Sequence, residues 1–363
     1  AIDDVLQQTF AISKGLADAD KVTVLDFATG TGTFILEILK IIFEKVPQNS
    51  TNRPLVIQNH ILKNIYGFEY LIAPYTIAYL KLSQFLHENG YDFKGKDRLQ
   101  IYFTNTLEPM EAQVNYVLPA LTKESQEAQK IKNKPILVIT GNPPYKGSST
   151  NKGKWITEKM KDYKSFEGET LKEKNPKWLQ DDYVKFIRFA EWKMQQVAEG
   201  IVAIITSHSF LDNPTFRIMR KSLMATFHQI HIIDLHGNVK KKETADDGSK
   251  DQGVFDIQQG TCITVFVKKE GLPKKIMHTD LYGTRQSKFD ICSSRTLQDI
   301  GTVEIQPTAP FYLFRPQNTT YREQYEQGWS LPDIFQIKSV GVVTGKDSMF
   351  IDCLLYTSPS PRD

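Results

Sequence analysis

Val22-Thr23-Val24-Leu25-Asp26-Phe27-Ala28-Thr29-Gly30-Thr31-Gly32-Thr33 changes its hydrophobic period in the middle. Val22–Leu25 is a short apolar run suited to a buried strand that ends at Asp26. Beyond the two glycines, Phe34, Ile35, Ile38, Leu39 and Ile42 recur at helical spacing. Glycine at such a turn lets the backbone approach a ligand and take angles closed to other residues. A strand passing through a Gly-rich turn into a helix is the opening unit of a doubly wound sheet. Working outward, Ile65–Phe68, Leu99–Phe103 and Ile136–Thr140 are predicted strands, and a helix that tolerates Pro74 in its first turn should stop near Gly90. Asp182–Ala198 has an amphipathic helical pattern, and Gly200–Thr206 reads as a buried strand. Thr261–Lys268 alternates as an edge strand would. The expected fold class is α/β, a Rossmann-like doubly wound and mostly parallel sheet.

Bulk properties bound the rest. The 363 residues are 40% hydrophobic and 24% charged, ordinary for a globular chain long enough for one large domain and part of another. A net charge of +3 permits nucleic-acid binding without demonstrating it. Cys262, Cys292 and Cys353 are widely spaced, so neither a disulfide framework nor a zinc site is expected, and a reducing intracellular setting fits. No apolar run approaches the roughly 18 residues of a membrane span. Ala1 is not an initiator Met, and the start reads as a cut. Residues 146–177 are polar and Lys-rich, and 240–253 form a charged loop; both read as insertions. From Val303 the composition shifts toward Pro, Gln, Tyr and Thr, so a first domain over 1–302 and the start of a second over 303–352 are expected.

Two strand ends carry chemistry. The turn at Gly30 and Gly32 is a poor nicotinamide site, because bulky Ile35 stands where close helix–strand packing wants Gly or Ala. The next acidic strand-end residue, Glu69, also lies well beyond that motif's offset of about 20 residues. Glu69 nonetheless suits a ribose, since one carboxylate accepts from both hydroxyls. After Ile136–Thr140 comes Asn142-Pro143-Pro144-Tyr145. The prolines fix φ and donate no hydrogen bond, so this turn holds carbonyls outward with little reorganisation. The Asn142 side chain and the Pro143 backbone carbonyl together offer two acceptors, a cradle for a planar amino group with two N–H donors. Tyr145 adds an aromatic face.

Asn142–Tyr145 matches the NPPY motif of N6-adenine DNA methyltransferases, and Asp26–Thr33 resembles the cofactor motif of that family, in the motif order of its gamma class. The resemblance runs from about Val22 to Lys269. It implies that S-adenosylmethionine is the cofactor, held by Asp26, Ala28, Thr29, Gly30, Gly32, Thr33, Glu69, Asn105 and Phe186. It implies catalysis at Asn142, Pro143, Pro144 and Tyr145 on an adenine flipped out of double-stranded DNA. Phe186 comes from Tyr183-Val184-Lys185-Phe186, and Gly200–Phe210 resembles the strand that follows. Gly253-Val254-Phe255 resembles the segment with a second stacking aromatic, which assigns base stacking to Tyr145 and Phe255. Thr104-Asn105-Thr106-Leu107 departs from the family, which usually has an acidic residue there; the Asn105 amide can still accept from and donate to an adenine edge.

Lys338–Asp347 resembles the start of the target-recognition part of type ISP and IIG restriction–modification enzymes. That resemblance implies nuclease and helicase regions elsewhere in the same polypeptide and a bacterial or archaeal cytoplasmic setting, with neither membrane nor metal. Residues 353–363 look like a non-native tail. Rival readings are a methyltransferase acting on RNA adenine or protein glutamine, an inactive DNA-recognition subunit, and a nicotinamide oxidoreductase, the last disfavoured by Ile35.

Overall fold

The sheet that carries the site is assembled from nine strands in the order β9-β8-β6-β7-β5-β4-β1-β2-β3. Their ranges are β1 Val24–Asp26, β2 Ile65–Glu69, β3 Gln100–Phe103, β4 Val138–Gly141 and β5 Gly200–Ser207, then β6 Gln229–Asp234, β7 Thr261–Lys268, β8 Lys275–Asp280 and β9 Val303–Ile305. The structure is a computed structural model that describes residues 1–47, 51–108, 119–145, 149–173, 176–245 and 247–335. Strands β3, β2, β1, β4 and β5 are mutually parallel neighbours. Strand β7 runs antiparallel to both β5 and β6, whereas β8 is parallel to β6 and β9 closes the edge antiparallel.

Side chains alternate across each strand, so successive residues fall into different cores. Leu25, Ile139, Val202, Ile204, Ile230, Ile232 and Phe266 belong to one cluster. Val24, Val138, Ile201, Ala203, Ile233, Val265 and Val267 belong to the other. The longer helices are α1 Ile2–Gln8, α2 Thr33–Lys45, α3 Ile72–Glu88, α4 Pro119–Asn133, α5 Asp182–Gln195, α6 Arg217–Thr226 and α7 Arg285–Ser294. Helices α2 and α3 supply Ile35, Ile38, Leu39, Ala78 and Leu82 to the second cluster. Helices α4, α5 and α6 supply Ala128, Ile131, Val184, Ile187, Met219 and Leu223 to the first. The sheet is therefore covered on both faces, the doubly wound α/β class expected from the sequence.

Three expectations need correction. Thr261–Lys268 is an interior strand, paired on both sides. Its alternation separates two buried faces, with Thr264 at 0% exposure on one of them, rather than a wet face from a dry one. The Lys-rich stretch, expected as a polar insertion, has structure and a core contribution of its own: Lys154–Lys159 is helical, Ser165-Phe166 pairs with Glu169-Thr170, and Ile156, Met160 and Tyr163 are buried, while Lys152, Lys154, Lys161, Lys172 and Lys177 are exposed. Its Lys146 and Lys174 lie outside the described residues. The composition break at Val303 is not a domain boundary either, because Val303–Ile305 pairs with β8 and the first compact unit runs from Ala1 to Pro316. The second unit begins at Gln317, with short helices at Arg322–Glu326 and Leu331–Ile334. Lys338–Asp347 and the tail from 353 to 363 lie outside the described residues.

Candidate active site

Strand β1 ends at Asp26, whose carboxylate is fully buried beneath the turn it opens. Its Oδ1 accepts the Ala28 N–H at 3.2 Å, and Oδ2 has no partner. Burial first, and nearby Glu69 to a lesser degree, raise the carboxyl from 3.8 to about 7, opposed by the Ala28 hydrogen bond. The turn is tied to both neighbouring strands. Phe27 N–H donates to Thr140 O at 3.1 Å, and Thr29 N–H donates to Phe68 O at 3.0 Å. Gly30 and Gly32 take φ of +55° and +78°, left-handed values that a side chain resists. A Cβ on Gly32 would also sit 3.2 Å from Ala78 and Leu82 of α3. One on Gly30 would meet nothing within 4 Å, so that glycine faces open space.

Glu69, at the end of β2, accepts the Gly30 N–H at 2.8 Å through Oε2 and the Tyr70 and Leu71 N–H groups at 2.9 and 2.7 Å through Oε1. Its head is thereby fixed against the turn, while the residue stays half-exposed. After β3, Asn105 Oδ1 accepts the Leu107 N–H at 3.0 Å and Nδ2 donates to Asn151 Oδ1 at 2.9 Å. The amide is thus oriented, with one lone pair and one N–H still to offer. Thr106 Oγ1 donates to Phe27 O at 2.6 Å, which locks the third strand end to the first. The Phe186 ring reaches the same place from α5, 5.2 Å from the Phe27 ring, and is only 8% exposed.

Asn142-Pro143-Pro144-Tyr145 leaves β4 directly behind Gly141, whose φ is +147°. A Cβ there would lie 3.0 Å from Asp26 Oδ1 and 3.2 Å from the Phe27 ring. Glycine at this position therefore brings the proline turn against the Gly-rich turn. Pro143 is buried and Pro144 exposed. The Tyr145 hydroxyl donates to Asn142 Oδ1 and lies 3.2 Å from Ile205 O, and its ring meets Tyr183 edge-on at 6.5 Å. Burial pushes the hydroxyl above its ordinary pKa. Tyr145 thus orients the Asn142 acceptor in addition to offering a ring.

The structure joins Asp26–Thr33, Glu69, Asn105, Asn142–Tyr145 and Phe186 along one carboxyl edge of the sheet. Phe255 stands apart. It is half-buried against the opposite core and lines a groove with Val239 and Lys250. Among the described residues, no ring contact joins it to Tyr145.

Four contributors were missed in the sequence. Gly67, in the middle of β2, makes room for the turn: a Cβ would stand 2.6 Å from Thr29 Oγ1 and 3.0 Å from Ile35 Cδ1. Gly141 does the same for the proline turn. Both carried a signal, since glycine inside a strand marks a close approach of another segment. Buried Lys132 donates to the carbonyls of Asn105 and Glu108 at 2.6 Å each, and burial lowers its ammonium to about 7. Asp182 holds Asn151 through Oδ1 at 2.9 Å. Nothing local in the sequence pointed to these last two.

Farther along the same edge, His208, Asp234 and His236 bring ligand-type atoms within 4.8 Å of one another, and so do Asp234, His278 and Asp280. The Asp234 carboxylate is already engaged there by His208 Nδ1 at 2.9 Å and Arg315 at 2.5 Å. These partners hold its pKa below the ordinary carboxylate range against the opposing effect of burial. Protein groups thus engage both oxygens of this carboxylate, while both ring nitrogens of His278 are buried without a hydrogen-bond partner. The residues come from separate strands, so their meeting could not be read from sequence.

Residues 63–240 match the Eco57I restriction-modification methylase family model. No curated protein matches the chain. Among solved structures, a nuclease-deletion mutant of the Type ISP restriction-modification enzyme LlaGI, in complex with a DNA substrate mimic, is similar at TM-score 0.74 and 23% identity, over 89% of this chain and 26% of that one. The ATP-dependent Type ISP enzyme LlaBIII bound to DNA gives TM-score 0.72 and 24% identity, over 89% and 22%. A DrdV–DNA complex gives TM-score 0.69 and 26% identity, over 85% and 29%. The chain thus spans 22–29% of the length of these proteins.

Proposed function

We propose that this chain, matched over residues 63–240 by the Eco57I restriction-modification methylase model, moves a methyl group from S-adenosylmethionine to the N6 amino group of a flipped adenine in double-stranded DNA. The observation that carries the reading is the closeness of Gly141 to Asp26 and Phe27, where no Cβ would fit without a shift. It supports the reading because the proline turn and the Gly-rich turn lie side by side at the ends of neighbouring strands, where an amine and a nucleoside cofactor could meet.

The residues present suit the cofactor. The open space over Gly30, the fixed Glu69 head and the unpartnered Asp26 Oδ2 match a nucleoside with a diol and cationic groups. Glu69 would hold the ribose, Asn105 the adenine amino edge and Phe186 the adenine face. S-adenosylmethionine supplies an activated methyl group together with its own leaving group.

The remaining work falls to the second turn. The lone pair on N6 is delocalised into the ring, so the amine is a weak nucleophile. Asn142 Oδ1 and the Pro143 carbonyl accept its two N–H bonds and favour the pyramidal, increasingly positive nitrogen of the transition state. Such preorganised dipoles are worth about 3 kcal/mol in enzyme sites. The Tyr145 hydroxyl fixes the direction of Asn142, so little reorganisation remains at reaction. Stacking on Tyr145 offsets the few kcal/mol of unstacking a base. Phe255 is a second stacking ring if the bound base bridges to its groove.

The complexes of LlaGI with a DNA substrate mimic and of LlaBIII and DrdV with DNA support DNA as the substrate in a restriction–modification setting, and the nuclease and helicase regions expected from the sequence resemblance belong to the same proposal. Transfer of labelled methyl groups to a mixed-sequence duplex by wild type, and none by Asn142→Ala, is the expected outcome. Label appearing only in RNA or in protein would replace the substrate. Binding without any transfer would leave a recognition subunit.

A further inference from the structure

The loop between β6 and β7 reads from sequence as a charged insertion. In the fold two of its acids, Glu243 and Asp251, are held inward, whereas Asp247 is exposed. Glu243 turns inward, 13% exposed at the side chain, with Oε2 accepting the Asn238 N–H at 2.8 Å. Asp251 is wholly buried and pairs with the equally buried Lys288 ammonium at 2.8 Å. Asp251 also accepts the N–H groups of Gly237 and Gly283 at 2.6 and 2.7 Å. Lys240, Lys242 and Lys250, by contrast, are exposed. Among the described residues, no carboxylate lies within ion-pair distance of any of the three, whereas Lys241 pairs with Asp212 at 3.1 Å.

The loop is held in shape by its own bonds. Asn238 Oδ1 caps the turn by accepting Lys240 and Lys241 N–H at 3.1 and 3.2 Å. Lys242 is left-handed at φ +52°. Thr244 and Lys250 form an antiparallel bridge that folds the two halves of the loop together. Val239 N–H donates to Gln258 O at 3.2 Å, which ties the lysine turn to the segment following Phe255. Phe255, Val239 and Lys250 line one groove of about 730 Å³.

We propose that Lys240, Lys242 and Lys250, on the loop between β6 and β7, are phosphate-contacting residues that grip the DNA backbone as a finger beside the base-binding edge. The inference rests on the DNA methyltransferase reading above. With Glu243 and Asp251 held by inward partners, Lys240, Lys242 and Lys250 outnumber Asp247 among the described exposed charges of the loop, and at the edge that carries the proline turn this surface complements a polyanion. Phosphate contacts of this kind set register on a duplex and carry no sequence information.

The test compares wild type with the Lys240→Ala/Lys242→Ala/Lys250→Ala variant of the whole chain on a mixed-sequence duplex, across a salt series. Each lost phosphate contact lowers the log–log salt slope by about 0.9, so three should lower it by about 2.7. Between 50 and 200 mM salt, wild type should then lose roughly 40-fold more affinity than the variant. S-adenosylmethionine affinity, read by calorimetry, should stay the same, because no lysine of the loop belongs to the cofactor turn. An unchanged salt slope, with methyl transfer to DNA intact in wild type, overturns the finger alone. A wild-type chain that neither transfers methyl groups to DNA nor binds it overturns both readings. A salt-dependent grip on duplex RNA, with none on DNA, assigns the finger to the wrong polymer.

Discussion

Replacing Asp26 with asparagine should change how stability depends on pH. Asp26 is fully buried with Oδ2 unpartnered, and its carboxyl is raised from 3.8 to about 7. Between those two values the folded chain holds a proton that the unfolded chain has released. Its contribution to stability is therefore complete below pH 3.8 and is lost as pH rises through about 7. A tenfold change in proton affinity corresponds to about 1.4 kcal/mol, so the rise from 3.8 to about 7 sets a ceiling of about 4 kcal/mol between pH 4 and pH 8. An asparagine at this position would keep the acceptor for the Ala28 N–H but has no charge to desolvate. Urea unfolding at intervals across this range should show Asp26→Asn gaining on wild type by about 2–4 kcal/mol as pH rises, whatever the offset at pH 4. Parallel profiles, within about 0.5 kcal/mol, would refute the idea that burial governs this carboxyl. A cationic cofactor beside Asp26 favours its ionised form. Calorimetry at pH 6.5 in buffers of different ionisation enthalpy should accordingly detect proton release on S-adenosylmethionine binding.

Asn142→Ala should lower the transfer rate about 10²–10³-fold while cofactor affinity stays within a few fold; parallel loss of both would make the proline turn structural. Tyr145→Phe should cost about fivefold in kcat, since the hydroxyl that directs Asn142 is worth about 1 kcal/mol, and Tyr145→Ala should cost more. Gly32→Val forces a side chain into φ +78° and against Ala78 and Leu82, so calorimetry should find no cofactor binding; wild-type affinity would discard the turn as the cofactor site. Lys288→Met strands the buried Asp251 carboxylate and should destabilise by about 3–5 kcal/mol in urea melts, with partial recovery on adding Asp251→Asn; a neutral single variant would contradict the buried pair.

Much of the parallel half of the sheet was legible because its strands are apolar runs ending in turn residues. Val24–Asp26, Ile65–Glu69 and Val138–Gly141 begin and end within two residues of the sequence reading. The antiparallel half was harder. His231 and His278 interrupt the apolar pattern of β6 and β8; His278 is buried and His231 partly so, a placement that no local pattern announces. Thr261–Lys268 looks like an edge because its alternation distinguishes two cores in the same way that it would distinguish core from solvent. The Lys-rich stretch after the proline turn hides Ile156, Met160 and Tyr163, too sparse to register as a periodic face yet sufficient to anchor the segment. At the site, the turn and tetrapeptide were visible as motifs. The bonds that orient the site's side chains, Tyr145 to Asn142 and Asn105 to Asn151, span both short and long separations and needed the fold.

Whether the Gly-rich turn and the proline turn form a single methyl-transfer site for adenine is tested most directly by nucleoside mass analysis. The sample is mixed-sequence duplex DNA after incubation with deuterated-methyl S-adenosylmethionine. N6-methyladenine carrying the deuterated methyl group is predicted with wild type, and unmodified adenine with Asn142→Ala. Label on cytosine, label undiminished in Asn142→Ala, or cofactor binding with every nucleoside unmodified would contradict it.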